Sequence, residues 1–413
     1  MYHRLDRTTA APWTARCVGH LLVVGVTLGL LGIACATPYV PTDDRTLVET
    51  LRAKPLDREW QELHRLRAQL RAEPTRQDLA EQLGRRYIER SRAEADPRYL
   101  GQALAVLQPW LETEQPSASV LLLRATIRQS LHDFDGALAD LDVVLRAQPR
   151  NAQARLTAAT IHQVQGRYVE ARSHCAPLSH LTSAAVALAC HAGVGGLNGQ
   201  GEAMYRMLQQ ALGAERTALS TRPADDMPER QWLSSLLAEQ AERLGQDTEA
   251  ERAYRAALAA GPRDPYTVTA YADFLLDRRR AKDALALLGA DRKQDGVLLR
   301  LALAEKQLGV PEHRLDSDLL AARFDAARRR GETTHRREEA RYALHLLGDA
   351  EKALALALDN WAVQREPADA RIVLEAAITA DRRTAAGSVV EWLRANRLED
   401  VRLQALIRRM DEV

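Results

Sequence analysis

The sequence predicts an all-α fold built as a solenoid of stacked helix pairs, and three observations carry that expectation. Ala, Leu and Arg, all good helix formers, dominate nearly every segment, and β-branched runs are almost absent after residue 40. Small residues recur at a fixed period through much of the chain. At 413 residues the chain is also too long for one compact helical bundle, so the helices must form either two domains or one long array. The formal net charge of +1 gives no global electrostatic reason to expect nucleic acid or an anionic membrane surface as a partner.

Residues 1–36 read as an export signal. Arg4, Arg7, Arg16 and His20 precede an uncharged apolar run from Leu21 to Ile33. That run matches the core of a signal peptide and falls short of the roughly 18 residues a membrane span needs. Ala34-Cys35-Ala36 then reads in two ways. It is either a small-x-small cleavage site releasing a chain that starts at Thr37, or the end of a lipobox-like Gly32-Ile33-Ala34-Cys35 in which Cys35 carries the lipid. Gly32 stands where Leu is usual. An uncleaved anchor is the third alternative, and a core helix of the fold is the bland one. The expected location is the periplasm, with a membrane tether if Cys35 is modified. Residues 37–56 carry Pro38, Pro41 and Pro55 among polar residues and read as a linker. Residues 57–76 read as a capping helix, with Asp57 as its N-cap and Trp60, Leu63, Leu66 and Leu70 on its inner face.

The repeat begins beyond that cap. Ala125 is followed after twelve residues by Ala137, and Pro149 comes twelve further on; a shift of 34 residues brings Ala159 and Ala171 into register. Phe134 then overlies Tyr168, and Val144 overlies Leu178. Ala238, Ala250, Ala257 and Pro262 recur in the same phase, and one more step reaches Ala272 and Ala284. Bulky Leu121, Leu141, Leu237, Tyr254, Tyr271 and Leu288 stand at positions that would fill the seam around each small residue. Gly166 and Gly245 stand where the first helix of a pair would stop, and Pro149 and Pro262 where the second would close. One such pair cannot bury its apolar face alone, so pairs must stack.

A 34-residue period with small residues at these offsets resembles the tetratricopeptide repeat. The resemblance is clearest over 118–151, 152–185, 231–264 and 265–298. A further repeat begins near Gln77, with an insertion from Ala93 to Tyr99, and a degenerate pair spans 186–213. The expected organisation is therefore an N-terminal block at 77–213, a loop or hinge at 214–230, a central pair at 231–298, and degenerate repeats with a terminal cap over 299–413. An ordinary helical array of another kind is the rival architecture.

The resemblance implies a right-handed superhelix that binds extended peptides or partner helices on its concave face. It places Glu81, Arg85, Thr126, Gln129, Thr160 and Gln163 on that face in the N-terminal block, and Trp232, Glu239, Glu242, Tyr266, Asp273 and Asp277 in the central pair. The face runs from polar-neutral to acidic, with two aromatics at the acidic section, which suits a basic or amine-bearing segment. The bland alternative for each is a solvated helix surface. The implied function is an exported protein-interaction scaffold of the bacterial cell envelope, with no cofactor.

Cys175 and Cys190 fall on the second helix of one repeat and the first helix of the next, near enough for a disulfide if their Cα atoms lie within about 7 Å; two buried thiols are the alternative. His174, His180 and His191 flank them, so a metal-handling accessory role is the second functional reading, although the spacing matches no compact metal motif. The glycines Gly193, Gly195, Gly196, Gly199 and Gly201 lack the preceding strand a phosphate loop needs and read as an extended, flexible turn. Arg328, Arg329, Arg330, Arg336 and Arg337 form one basic cluster, explicable by a helix C-terminus or as an anionic docking patch. No arrangement of residues nominates a catalytic group, so an enzyme is not expected.

Overall fold

Helix follows helix with short turns, because the sequence alternates amphipathic stretches with capping residues. The computed structural model describes residues 58–218 and 227–412 together with Asp43. The export signal, Cys35, Asp57 and nearly all of the linker lie outside the described residues. The chain divides at Leu56, and the unit described below is Asp57–Val413.

Twenty α-helices make up the described residues of that unit, and none is long and apolar enough to cross a membrane. A single helix α1 (Arg58–Ala72) precedes the pairs α2 (Gln77–Glu94) with α3 (Arg98–Leu111), α4 (Ala118–Ser130) with α5 (Phe134–Ala147), and α6 (Ala152–Val164) with α7 (Tyr168–Cys175). Next come α8 (Ala184–Gly195) with α9 (Gly201–Ala218), α10 (Met227–Arg243) with α11 (Asp247–Ala259), and α12 (Pro265–Asp277) with α13 (Ala281–Leu288). The last pairs are α14 (Asp295–Leu308) with α15 (His313–Arg329), α16 (Arg336–Tyr342) with α17 (Ala350–Trp361), and α18 (Pro367–Thr379) with α19 (Gly387–Asn396), closed by α20 (Val401–Asp411). Each helix packs chiefly on its sequence neighbours, so the unit is an all-α solenoid.

The periodic small residues have the role their spacing assigned. Ala125, Ala137, Ala159, Ala171, Ala238, Ala250, Ala257, Ala272 and Ala284 are all fully buried, and so are Ala340 and Ala353 in the degenerate region. Side-chain caps set the helix starts. Ser117, Asp133, Asn151 and Asp264 each accept an N–H from the first turn of the following helix. In α1, Leu63 and Leu66 are buried and Trp60 and Leu70 pack beside them.

Two boundaries differ from the sequence reading. The insertion at 93–99 is shared between the two helices: α2 continues to Glu94 and ends at Ala95 in the left-handed conformation, and α3 starts at Arg98. The hinge assigned to 214–230 narrows, since α9 reaches Ala218 and α10 starts at Met227; the stretch between lies outside the described residues.

A larger difference concerns the open inner face. The C-terminal pairs fold back on the third and fourth pairs, and residues from Ala159 to Leu197 share one hydrophobic cluster with residues from Ala340 to Met410. Trp392 lies at this junction, 5.8 Å from the Tyr168 ring and edge-on to Trp361 at 5.2 Å. Gly166 meets it with φ +72°, and a Cβ there would come 2.6 Å from the indole, so both backbone and space require glycine. The Arg365 N–H donates to the Val164 carbonyl at 2.7 Å, and Asn198 bonds Asn396 at 3.2 Å. The glycine-rich turn is packed rather than loose. A Cβ on Gly196 would lie 2.3 Å from Gln240 Oε1, and one on Gly201 2.3 Å from Glu399 Oε2. Those glycines let α8 and α9 press against α10 and the segment before α20.

Candidate functional site: the axial cavity

Because the array closes on itself, the inner helix faces wall a cavity of about 1060 Å³. Its lining follows the helical period. On α10 it takes Trp232, Ser235, Glu239, Glu242 and Arg243; on α12 it takes Tyr266, Thr269, Ala270 and Asp273. Thr160 and Gln163 come from α6, Arg337, Glu338 and Arg341 from α16, Arg371 and Glu375 from α18, and Arg402 from α20.

Of the residues the sequence placed on the concave face, Thr160, Gln163, Trp232, Glu239, Glu242, Tyr266 and Asp273 meet in this cavity. The others lie off its wall. Glu81 accepts from Gln77 and Ser119 and pairs with Arg85 along the outside of α2, while Thr126 is buried with its hydroxyl on the Leu122 carbonyl. Gln129 is half-buried on α4. At this end the cavity is walled instead by Glu89, Arg92 and Ala93 from the extended last turns of α2. Asp277 sits beside the cavity, bonded bidentately by Arg371 at 2.5 and 2.8 Å.

The acidic strip is therefore not an open face. Three of its four carboxylates are held by guanidinium groups from later in the chain. Arg402 donates to Glu242 at 2.6 Å, and Arg371 holds Asp277. Arg300 and Arg341 both chelate Asp273, the former at 2.6 and 3.1 Å and the latter at 2.8 and 3.0 Å. Burial would raise the Asp273 carboxyl, but these two arginines outweigh it and hold it well below the usual carboxylate range. Burial pushes Glu242 up, with Arg402 and the Tyr254 hydroxyl at 2.8 Å partly opposing it. Glu239 differs. Its nearest guanidinium is Arg243 at 3.7 Å, and burial raises its carboxyl against Arg243 and a hydrogen bond with Tyr266. The Glu239 charge lifts the Tyr266 phenol well above its ordinary value.

Sequence reasoning named Arg337 in its basic cluster but missed the rest of the basic half of this wall. Arg337 bonds Glu366 at 2.8 Å and Asp369 at 3.3 Å, which fixes it against α18. A π-turn at Ala343–Leu347 presents His345 to the cavity, where its Nε2 lies 3.1 Å from Glu375. Although burial opposes it, the His345 and Arg371 contacts hold Glu375 down to about 2. Part of the signal was present in the sequence: Arg341 follows the small residue Ala340 as Asp273 follows Ala272.

Cys175 and Cys190 are joined as a disulfide, with Cα atoms 5.6 Å apart, inside the cluster that unites the two halves of the array. This corrects the metal-handling reading, which needs both sulfurs as thiolates. His174 stacks on His162 at 5.5 Å and not on the sulfurs, and among the described residues no group of three or more His, Cys, Asp or Glu is placed to hold a metal ion. The arginine cluster also has local partners: Arg328 pairs with Glu339 and Asp325, Arg329 with Asp325, and Arg330 with Glu332.

No protein-family model matches the chain, and no curated protein matches it. Among solved structures, a tetratricopeptide repeat protein from Parabacteroides merdae aligns at 17% identity with a TM-score of 0.40, covering 63% of this chain and 90% of that one. The structure of Naa15/Naa10 bound to HypK-THB aligns at 13% identity with a TM-score of 0.24, covering 84% of this chain and 62% of that one.

Proposed function

We propose that the protein is an exported scaffold of the bacterial cell envelope that acts by binding, capturing a polypeptide segment in its axial cavity. The observation that carries this reading is the cavity itself. A space of about 1060 Å³ is walled by rigid helix faces, with Trp232 and Tyr266 on the wall and Tyr266 57% exposed. Exposed aromatics on a preorganised wall are the anchors that concentrate binding energy. The envelope location rests on the apolar N-terminal run and on the Cys175–Cys190 disulfide, which suits an oxidising compartment. Cys35 is the proposed point of lipid attachment.

Affinity capture from an envelope fraction, comparing the intact protein with Trp232→Ala and Tyr266→Ala, tests the capture. Partners retained by the intact protein should be lost from both variants; equal retention moves the site out of the cavity. Fractionation of Cys35→Ala tests the tether, because release from the membrane fraction is expected and unchanged membrane association contradicts it.

A further inference from the structure

Building on the capture reading above, we propose that Glu239 receives the guanidinium or ammonium group of a basic residue in the captured polypeptide, on the wall that carries Trp232 and Tyr266. The chain itself displays the recognition chemistry. Along the acidic faces of α10 and α12, Glu242, Asp273 and Asp277 each bind a guanidinium at 2.5–2.8 Å. Glu239 lies one turn before Glu242 on the same cavity-facing stripe, and its nearest guanidinium, Arg243, is 3.7 Å away. Arg243 is turned elsewhere: its Nη2 donates to Gln240 Oε1 at 2.7 Å, and its Nε is buried without an acceptor.

Arg243 is itself more than nine-tenths buried in the cavity wall. This stretch of wall therefore holds a carboxylate and a guanidinium that are incompletely paired with each other, next to free space. A cation from outside would complete Glu239 with a charge-assisted hydrogen bond, and the aromatic rings nearby favour the same charge. Glu366 and Glu242 add negative potential at Glu239, and Arg243 opposes it more strongly than either alone.

A phage-displayed library of random dodecapeptides selected on the full chain tests this, with counter-selection against Thr160→Trp, which puts an indole into the cavity. Enriched peptides should carry Arg or Lys. Synthesised with a fluorescent label, they should lose about tenfold in affinity to Glu239→Gln and stay within about twofold with Glu114→Gln, an exposed acid elsewhere. Exchanging the peptide's arginine for citrulline should cause the same loss, and the two changes together no further loss. Enrichment of acidic or apolar peptides, or a loss below about twofold with Glu239→Gln, overturns this inference while leaving the capture reading in place. If no peptide prefers the wild type over Thr160→Trp, the capture reading itself fails, and the inference with it. Circular dichroism melts of all three variants establish that each is folded.

Discussion

Glu239 shows how a single residue in the cavity wall trades stability for a binding role. Its folded-state carboxyl titrates above its ordinary value, because burial outweighs Arg243 and Tyr266. Relative to the unfolded chain the protonated form is thus favoured, and ionisation at neutral pH lowers stability. Lowering the pH below the ordinary carboxylate range removes that cost. Glu239→Gln should therefore raise the urea midpoint near pH 7 and leave it unchanged near about pH 3. A lower midpoint near pH 7 would show Glu239 to be a structural ion-pair partner. Glu375 has the opposite sign: held at about 2 against an ordinary 4.5, it contributes stability that is lost as pH falls through that window. The inner wall thus contains carboxylates held below their ordinary value by fixed cations, such as Glu375, and others raised by burial, such as Glu239.

At the scale of elements, the interest lies in what ties the C-terminal helices to the rest. α20 reaches α10 through Arg402 and Glu242, a carboxylate buried to 5% exposure and supported on its other side by Tyr254 and, at 3.6 Å, by Arg278. Removing one member of such a pair leaves a buried charge poorly matched. Arg402→Ala should cost about 3 kcal/mol, the low end of the range for buried pairs because the arginine is partly exposed. Urea denaturation checks it, and Glu242→Gln in the same background should recover part of the loss. The disulfide fastens α7 to α8 over a separation of 15 residues. Replacing both cysteines by Ala should destabilise the fold by about 3 kcal/mol, measured against the oxidised wild type. Addition of reductant should then have no further effect on the double variant.

These elements also mark where the sequence could be read and where it could not. Helices α4 to α7 and α10 to α13 were legible because each pairing rule is local: an alanine at the crossing, a bulky neighbour three or four residues away, a cap at each end. The same locality gave seven of the residues that line the cavity, Thr160, Gln163, Trp232, Glu239, Glu242, Tyr266 and Asp273. Closure was not legible, because it depends on contacts between residues about 200 apart in sequence, such as Arg365 with Val164. No period encodes such a contact. The turn at Gly196 to Gly201 was misread for the same reason, since the side chains packed against those two glycines, Gln240 and Glu399, come from distant elements.

For the whole molecule, the consequence of closure is that a groove becomes a cavity. An open solenoid is stabilised by nearest-neighbour interfaces alone and offers a continuous inner face. Here one hydrophobic cluster joins α6, α7 and α8 to α16 through α20, so the third and fourth pairs share a core with the C-terminal pairs. Affinity then depends on how a segment enters as well as on what it meets inside, and the rigid wall lowers the ordering cost on capture. The Arg365 amide reports this closure most directly. It lies between α17 and α18, outside any helix, and it donates to the Val164 carbonyl across the junction. Hydrogen exchange of that amide under native conditions should be slow, comparable with amides inside α18. Exchange at the rate of an unprotected loop amide would mean that the C-terminal repeats stand away from α6 and α7, and the closed cavity would be contradicted.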